Sequence, residues 1–162
     1  MKTKTTITEI THDDLVNLLS TATCGSSWLE TWTPAEIREK LGIEPDDCRE
    51  DIQAKALLSH EVIVATDNYA EGEKYGEHLS TIEDPDDEGS PVNYYLVLDH
   101  IKDGIAAALD GTFKANDDAE IDFAATCARQ FIEDCRGFCS DFDITAADAL
   151  MQIIMFNEII YG

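Results

Sequence analysis

Basic residues are scarce in this chain. Eleven lysines and arginines stand against 34 aspartates and glutamates over 162 residues, a formal net charge of -23. Affinity for DNA or RNA comes largely from cations that neutralise phosphates. Direct nucleic-acid binding is therefore excluded, and an anionic membrane surface repels such a protein. Long apolar runs are also missing. None approaches the roughly 20 residues of a membrane helix, and the opening MKTKTTITEI lacks the apolar core of a secretory leader. The cysteines, Cys24, Cys48, Cys127, Cys135 and Cys139, are odd in number and include no CxxC pair. That excludes a fully paired disulfide framework and argues for free thiols in a reducing, cytoplasmic setting. No GxGxxG, phosphate loop, GxSxG or HExxH is present, so the familiar nucleotide, hydrolase and zinc-protease signatures drop out.

Apolar residues, by contrast, are plentiful at 44%. A chain of this length and composition folds as one globular domain, 1–162, with a real core. Helix starts are legible. Thr11 caps a helix through HDDLVNLLSTA, with Asp14 at its third position and Ile10 stapled onto Leu15. Thr33, Pro34 and Glu36 form a capping box in WTPAEIREKLGI, with Trp32 as the staple on Ile37 and Gly42 as the stop. A third helix runs through DDCREDIQAKALL.

The β-branched HEVIVAT reads as a strand, and VNYYLVL as a second strand antiparallel to it. Between them, residues 67–91 form an acidic, flexible excursion with a short strand at HLSTI. Asp99 caps a helix through IKDGIAAAL that ends at Gly111. Ile121, Ala124, Ala128, Phe131, Cys135, Phe138 and Phe142 then recur at 3, 4, 3, 4, 3, 4, a helical seam. The last helix starts at DITAAD, with Thr145 as cap and Asp148 at its third position. It begins amphipathic and becomes apolar nearly all round, with Gln152, Met155, Phe156 and Ile159 following on one face. Such a helix is buried on several sides, as a central core element or in a subunit interface. The expected class is α+β: about six helices, a small antiparallel sheet, and a C-terminal helix pair forming the core.

Few residues carry recognisable chemistry. Asp84, Asp86, Glu88 and Gly89 have the spacing that opens an EF-hand loop, but Tyr95 stands where its closing glutamate is needed. Cys127, Cys135 and Cys139 share a helical stretch, yet a Cys inside a Phe and Ala seam behaves as a small hydrophobe. No metal and no cofactor is expected. His12, His60, His78 and His100 give no local sign of a Cys–His pair, which would meet only in space. Trp28 and Trp32 either form an aromatic patch with Ser26 and Ser27, or are core and staple. Glu158 is the single charge in an apolar end, and needs a partner or water.

Three stretches carry a resemblance: ATCGSSW, ending at Trp28; YLVLDHIKDGI; and a close made of Asp148, Ala149, Gln152, Phe156, Glu158, Ile159, Ile160, Tyr161 and Gly162. On these the chain resembles a loose family of small uncharacterised proteins encoded by bacteriophages and mobile elements of gut bacteria. That family often has Tyr at the position of Ser27 and Gly at that of Asn157. The resemblance implies a setting rather than an activity, and both a host-directed inhibitor and an inert accessory protein fit that setting.

The charge supplies the leading functional expectation. Carboxylates three or four apart on a helix are about 5–6 Å apart, a spacing close to that of backbone phosphates. Three clusters qualify: Asp46, Asp47, Glu50 and Asp51; Asp84, Asp86, Asp87 and Glu88; Asp117, Asp118, Glu120 and Asp122. They point to a non-enzymatic protein that binds a basic host protein, with an acidic face standing in for DNA against a nucleic-acid-binding or defence protein. One alternative is a homodimeric accessory protein with Trp28, Phe156 and Ile159 at its interface. A second is a small enzyme with a Cys/His site.

Overall fold

The computed structural model describes residues 4–44, 46–70, 79–82, 91–134 and 142–161. Among these are six helices, α1 (His12–Gly25), α2 (Ala35–Lys40), α3 (Arg49–Leu58), α4 (Leu98–Asp110), α5 (Asp118–Asp134) and α6 (Ile144–Phe156), and four strands, β1 (Leu29–Trp32), β2 (Ile63–Asp67), β3 (Thr81–Ile82) and β4 (Val92–Leu96). The strands make one antiparallel sheet in the order β1-β2-β4-β3. The class is α+β, as the sequence indicates. Strands β3 and β4 fall inside their expected segments, and β2 inside its own but for Asp67, expected to open the excursion, which instead pairs in the sheet. Residues 71–78 and 83–90 of the acidic excursion, and with them His78 and the EF-hand-like run from Asp84 to Gly89, lie outside the described residues, as do Cys135, Phe138 and Cys139.

Helix α1 starts as expected: Thr11 accepts from the Asp14 N–H at 3.1 Å, and Asp14 accepts from the Thr11 N–H at 3.0 Å. Helix α2 also stops as expected. Ile43 N–H reaches the Arg38 carbonyl and Gly42 N–H the Glu39 carbonyl, both at 3.1 Å. This crossed pair needs a left-handed residue, and Gly42 supplies φ +63°.

Other boundaries shift. The chain Leu29–Trp32 is strand β1, so Trp28 and Trp32 do not share a helix face and Trp32 is no staple: it is 42% exposed. Because β1 holds the chain extended up to Trp32, and Pro34 itself has ψ 141°, no side chain caps α2. The Thr33 hydroxyl, expected as that cap, is buried with no partner. Asp99 is not the cap of α4. The chain turns at Val97, and His100 Nδ1 accepts the Val97 N–H at 3.1 Å. Asp143, not Thr145, caps α6, accepting from the Ala146 N–H at 2.9 Å. The α5 seam holds at Ala124, Ala128 and Phe131, all buried. Phe142 is off the helix, yet its ring lies 5.3 Å from that of Phe131.

Pairing across the sheet sorts its residues by face. Leu29, Asp67 and Val92 stand opposite one another, as do Thr31, Ala65 and Tyr94. This row of mostly apolar side chains looks inward. Tyr94 meets Phe156 of α6 edge-on at 5.7 Å. The buried amide of Gln53 on α3 binds both the Thr31 hydroxyl (2.8 Å) and the Thr31 carbonyl (3.0 Å), closing the edge of β1. The outer face carries Trp32, Val64 and Tyr95 in one row and Glu30, Thr66 and Asn93 in the next.

Helix α6 is the centre. It packs against α1, α4 and α5, and ten of its thirteen residues are buried. A helix enclosed on that many sides has to be apolar all round. Its crossing with α4 is close: a methyl on Gly104 would stand 2.7 Å from the Ile154 Cα. The helix ends at Phe156, where Asn157 takes φ +57°. Ile159 is therefore not on its face. The tail leaves alongside Lys114, whose N–H donates to the Asn157 carbonyl at 2.8 Å and whose Nζ lies 3.6 Å from the Glu158 carboxylate. The lone charge of the apolar end thus has its partner.

Candidate functional site

Two stretches 120 residues apart meet at the first turns of α6. Ser26 and Trp28 follow α1; Asp148, Gln152 and Tyr161 belong to α6 and the tail. Asp148 Oδ1 accepts from Ser26 Oγ (2.5 Å) and Trp28 Nε1 (2.6 Å), and its Oδ2 accepts from Gln152 Nε2 (2.6 Å). Gln152 has no exposed surface. Its Oε1 accepts the N–H groups of Ile160 and Tyr161, each at 2.7 Å, and its Nε2 also donates to the Tyr161 carbonyl at 2.9 Å. One amide thereby supplies the hydrogen bonds that the tail backbone would otherwise take from water.

The tail carries the network on to the sheet. Tyr161 Oη donates to both oxygens of Asp67, at 3.0 and 2.8 Å, and the Tyr69 N–H donates to Asp67 Oδ1 at 3.0 Å. Asp67 is fully buried. Burial pushes its carboxyl above the usual range, while the bonds from Tyr161 and Tyr69 pull the other way without cancelling it. Trp28 packs its ring 5.4 Å from Tyr161 and 5.5 Å from Phe156, and Tyr69 stands edge-on to Tyr161 at 5.7 Å. Beside this cluster opens a groove of about 300 Å³, lined by Gly25, Ser26, Ser27, Trp28, Tyr69, Ile144, Thr145, Asp148 and Tyr161.

The expected interface residues fall differently. Trp28 and Phe156 are buried within the single chain, 3% and 2% exposed, and present no surface to a second copy. Ile159 is half-buried in the tail. Sequence reading missed Ser26, Asp67, Tyr69 and Tyr161 as parts of one site. The available signal was Asp148 and Gln152, two polar residues one turn apart in an otherwise apolar helix.

Two of the three acidic clusters can be placed. In the first, Asp46 is exposed, Asp47 lies 4.0 Å from Lys55 Nζ, and Asp51 meets His12 Nε2 at 2.8 Å. Burial would raise the Glu50 carboxyl, but hydrogen bonds from Cys48 and Arg49 outweigh it and hold the group below its ordinary range. In the third, Asp117 caps α5 by accepting the Glu120 N–H at 2.8 Å, Glu120 bonds Asn116, and Asp118 and Asp122 are exposed. Negative charge at a helix start is stabilised by the helix dipole, so both clusters serve the fold as well as the surface. The second cluster, Asp84, Asp86, Asp87 and Glu88, lies outside the described residues.

Of the described thiols, Cys24 and Cys48 are exposed and Cys127 is buried. Burial, aided by the nearby Asp143 charge, pushes the Cys127 thiol up to about 11, so it stays protonated and a poor nucleophile at neutral pH. Among the described residues no three His, Cys, Asp or Glu side chains are grouped to hold a metal ion, and no helix is long and apolar enough to cross a membrane. No protein-family model, curated protein or solved structure matches this chain.

Proposed function

We propose that this chain is a non-enzymatic binding protein whose acidic surface receives a basic protein. The observation that supports it most directly is the start of α5. Asp118 and Asp122 lie one turn apart, both exposed, and no lysine or arginine among the described residues pairs with either. A chain of net charge -23 adds a long-range field that draws cationic partners and steers their approach. On the finer reading, the protein comes from a phage or mobile element. There it occupies the DNA-binding groove of a host nucleic-acid-binding or defence protein.

The test is affinity capture from host lysate at low salt, with a salt gradient for elution and a charge-matched acidic protein as control. One basic nucleic-acid-binding protein, released by moderate salt, displaced by duplex DNA and weakened by Asp118→Asn with Asp122→Asn, supports the reading. Capture indistinguishable from the control overturns it.

Self-association is the second reading, and the outer sheet face favours it. Trp32 is 42% exposed and Tyr95 36%, flanking the buried Val64 in one cross-strand row. If the chain dimerises, that face is the site, in place of Phe156 and Trp28. Sedimentation of Trp32→Ser against the parent checks it.

A further inference from the structure

The groove beside Asp148 has a charge imbalance that its described residues do not correct. Every donor to Asp148 is neutral: a serine hydroxyl, an indole N–H and an amide. Every donor to Asp67 is neutral too: a phenol and a backbone N–H. The two carboxylates belong to one hydrogen-bonded network, joined through Gln152 and Tyr161, and among the described residues no basic side chain is paired with either. Carboxylates withdrawn from water are ordinarily balanced by a cation. Here hydrogen-bonding capacity is met and charge is not.

The walls indicate what kind of cation fits. Tyr69 is 51% exposed and stands edge-on to Tyr161, with Trp28 behind. Aromatic faces attract organic cations. Ser27 and Thr145 line the same groove; the Ser27 hydroxyl is hydrogen-bonded to that of Tyr69, and a hydroxyl oxygen keeps a second lone pair with which to meet an N–H donor. Its volume of about 300 Å³ is at the small end for ligand sites and suits one side chain rather than a nucleotide. A metal ion is poorly served, since among the described residues no third metal-binding side chain joins the carboxylates. The positive end of α6 opposes a cation, but Asp143 and Asp148 return two negative charges to those turns.

We infer that the groove between α1, Tyr69 and the start of α6 takes one organic cation, the ammonium or guanidinium head of a Lys or Arg side chain presented by a protein partner. This rests on the proposal of a basic partner and gives that partner a specific anchor, distinct from the diffuse attraction of the α5 carboxylates.

The experiment is an NMR titration of the intact protein with N-acetyl-lysine methylamide and its arginine counterpart, following the Trp28 and Trp32 indole N–H signals. The side-chain-acetylated lysine probe and equimolar sodium chloride serve as controls. Saturable movement of the Trp28 signal, silent with both controls and absent from Trp32, supports the site. Tyr69→Ala should weaken it about three- to tenfold. The isosteric Asp148→Asn should also weaken it and gives a second route to the answer. A linear response matched by sodium chloride, or an equal response at Trp32, overturns it. Saturable probe binding by a protein that captures no basic partner would keep the groove, assign it to a free amine, and remove the partner.

Discussion

Asp118 and Asp148 both lie in the first turns of long helices, α5 and α6, and the chain treats them in opposite ways. Asp118 faces water, with no paired base among the described residues. Asp148 is half-buried and accepts three hydrogen bonds, two from the stretch after α1 and one from α6 itself. One is replaceable as far as the fold is concerned and is free to meet a partner. The other joins α1, α6 and the tail. The difference shows that a net charge of -23 is not one property: some carboxylates are framework and some are surface.

Removing the framework carboxylate gives the largest effect. Asp148→Ala leaves Ser26 Oγ, Trp28 Nε1 and one Gln152 N–H without their acceptor, and each stranded buried donor costs about 1–3 kcal/mol. Since the shorter side chain leaves room for water to enter from the groove, the expected loss is about 3–4 kcal/mol. Asp148→Asn keeps an oxygen for Ser26 and Trp28 and should lose less than half as much. Urea unfolding of both variants reads the difference directly. Equal and small losses in the two would show that the network does not hold the tail to the helices.

The sequence reveals such a network only in part. Local signals are strong at Thr11, Gly42 and Gly111, because capping boxes and left-handed glycine stops are decided within a few residues. They fail where a distant segment competes. Thr33 has every mark of a cap, yet β1 pairs with β2 and draws the chain past it. Thr145 looks like a cap, but Asp143 reaches the free N–H first. The strand LETW is four residues long, with a periodicity too short to separate from a helix start. Trp28, Asp148 and Tyr161 stand out one by one. That they converge is a fact about packing, and no spacing along the chain encodes it.

Tyr161→Phe is the next step down. It removes only the hydroxyl that donates to Asp67 and leaves the ring contacts with Trp28 and Phe156 in place. Asp67 then keeps the Tyr69 N–H alone, at an expected cost of about 1–3 kcal/mol. The same carboxyl should show an inverted pH dependence. Its folded pKa is raised, so the folded state holds its proton to higher pH than the unfolded state does. Stability relative to Asp67→Asn therefore falls as pH rises from 3.8 through the folded value. Glu50 is held low, so its stability is present above pH 4.5 and lost as pH falls through its folded value. Difference curves for Asp67→Asn and Glu50→Gln should slope in opposite directions between pH 3 and 6, as thermal unfolding can measure. Parallel slopes would dissolve the distinction between a burdened and a stabilised carboxylate.

The smallest expected effect on stability sharpens the comparison most. Asp118→Asn with Asp122→Asn changes exposed groups that accept no side-chain hydrogen bond among the described residues, while the Asp117 cap stays intact. Loss of helix-dipole attraction works against the variant, and relief of like-charge repulsion works for it. The two nearly cancel, so unfolding free energy should stay within about 0.5 kcal/mol of the parent. Partner capture should fall in the same protein, and its salt dependence should flatten, because exposed carboxylates act through a screened field. If stability falls by as much as in Asp148→Ala, these residues are framework as well, and the surface charge loses its claim to a separate role.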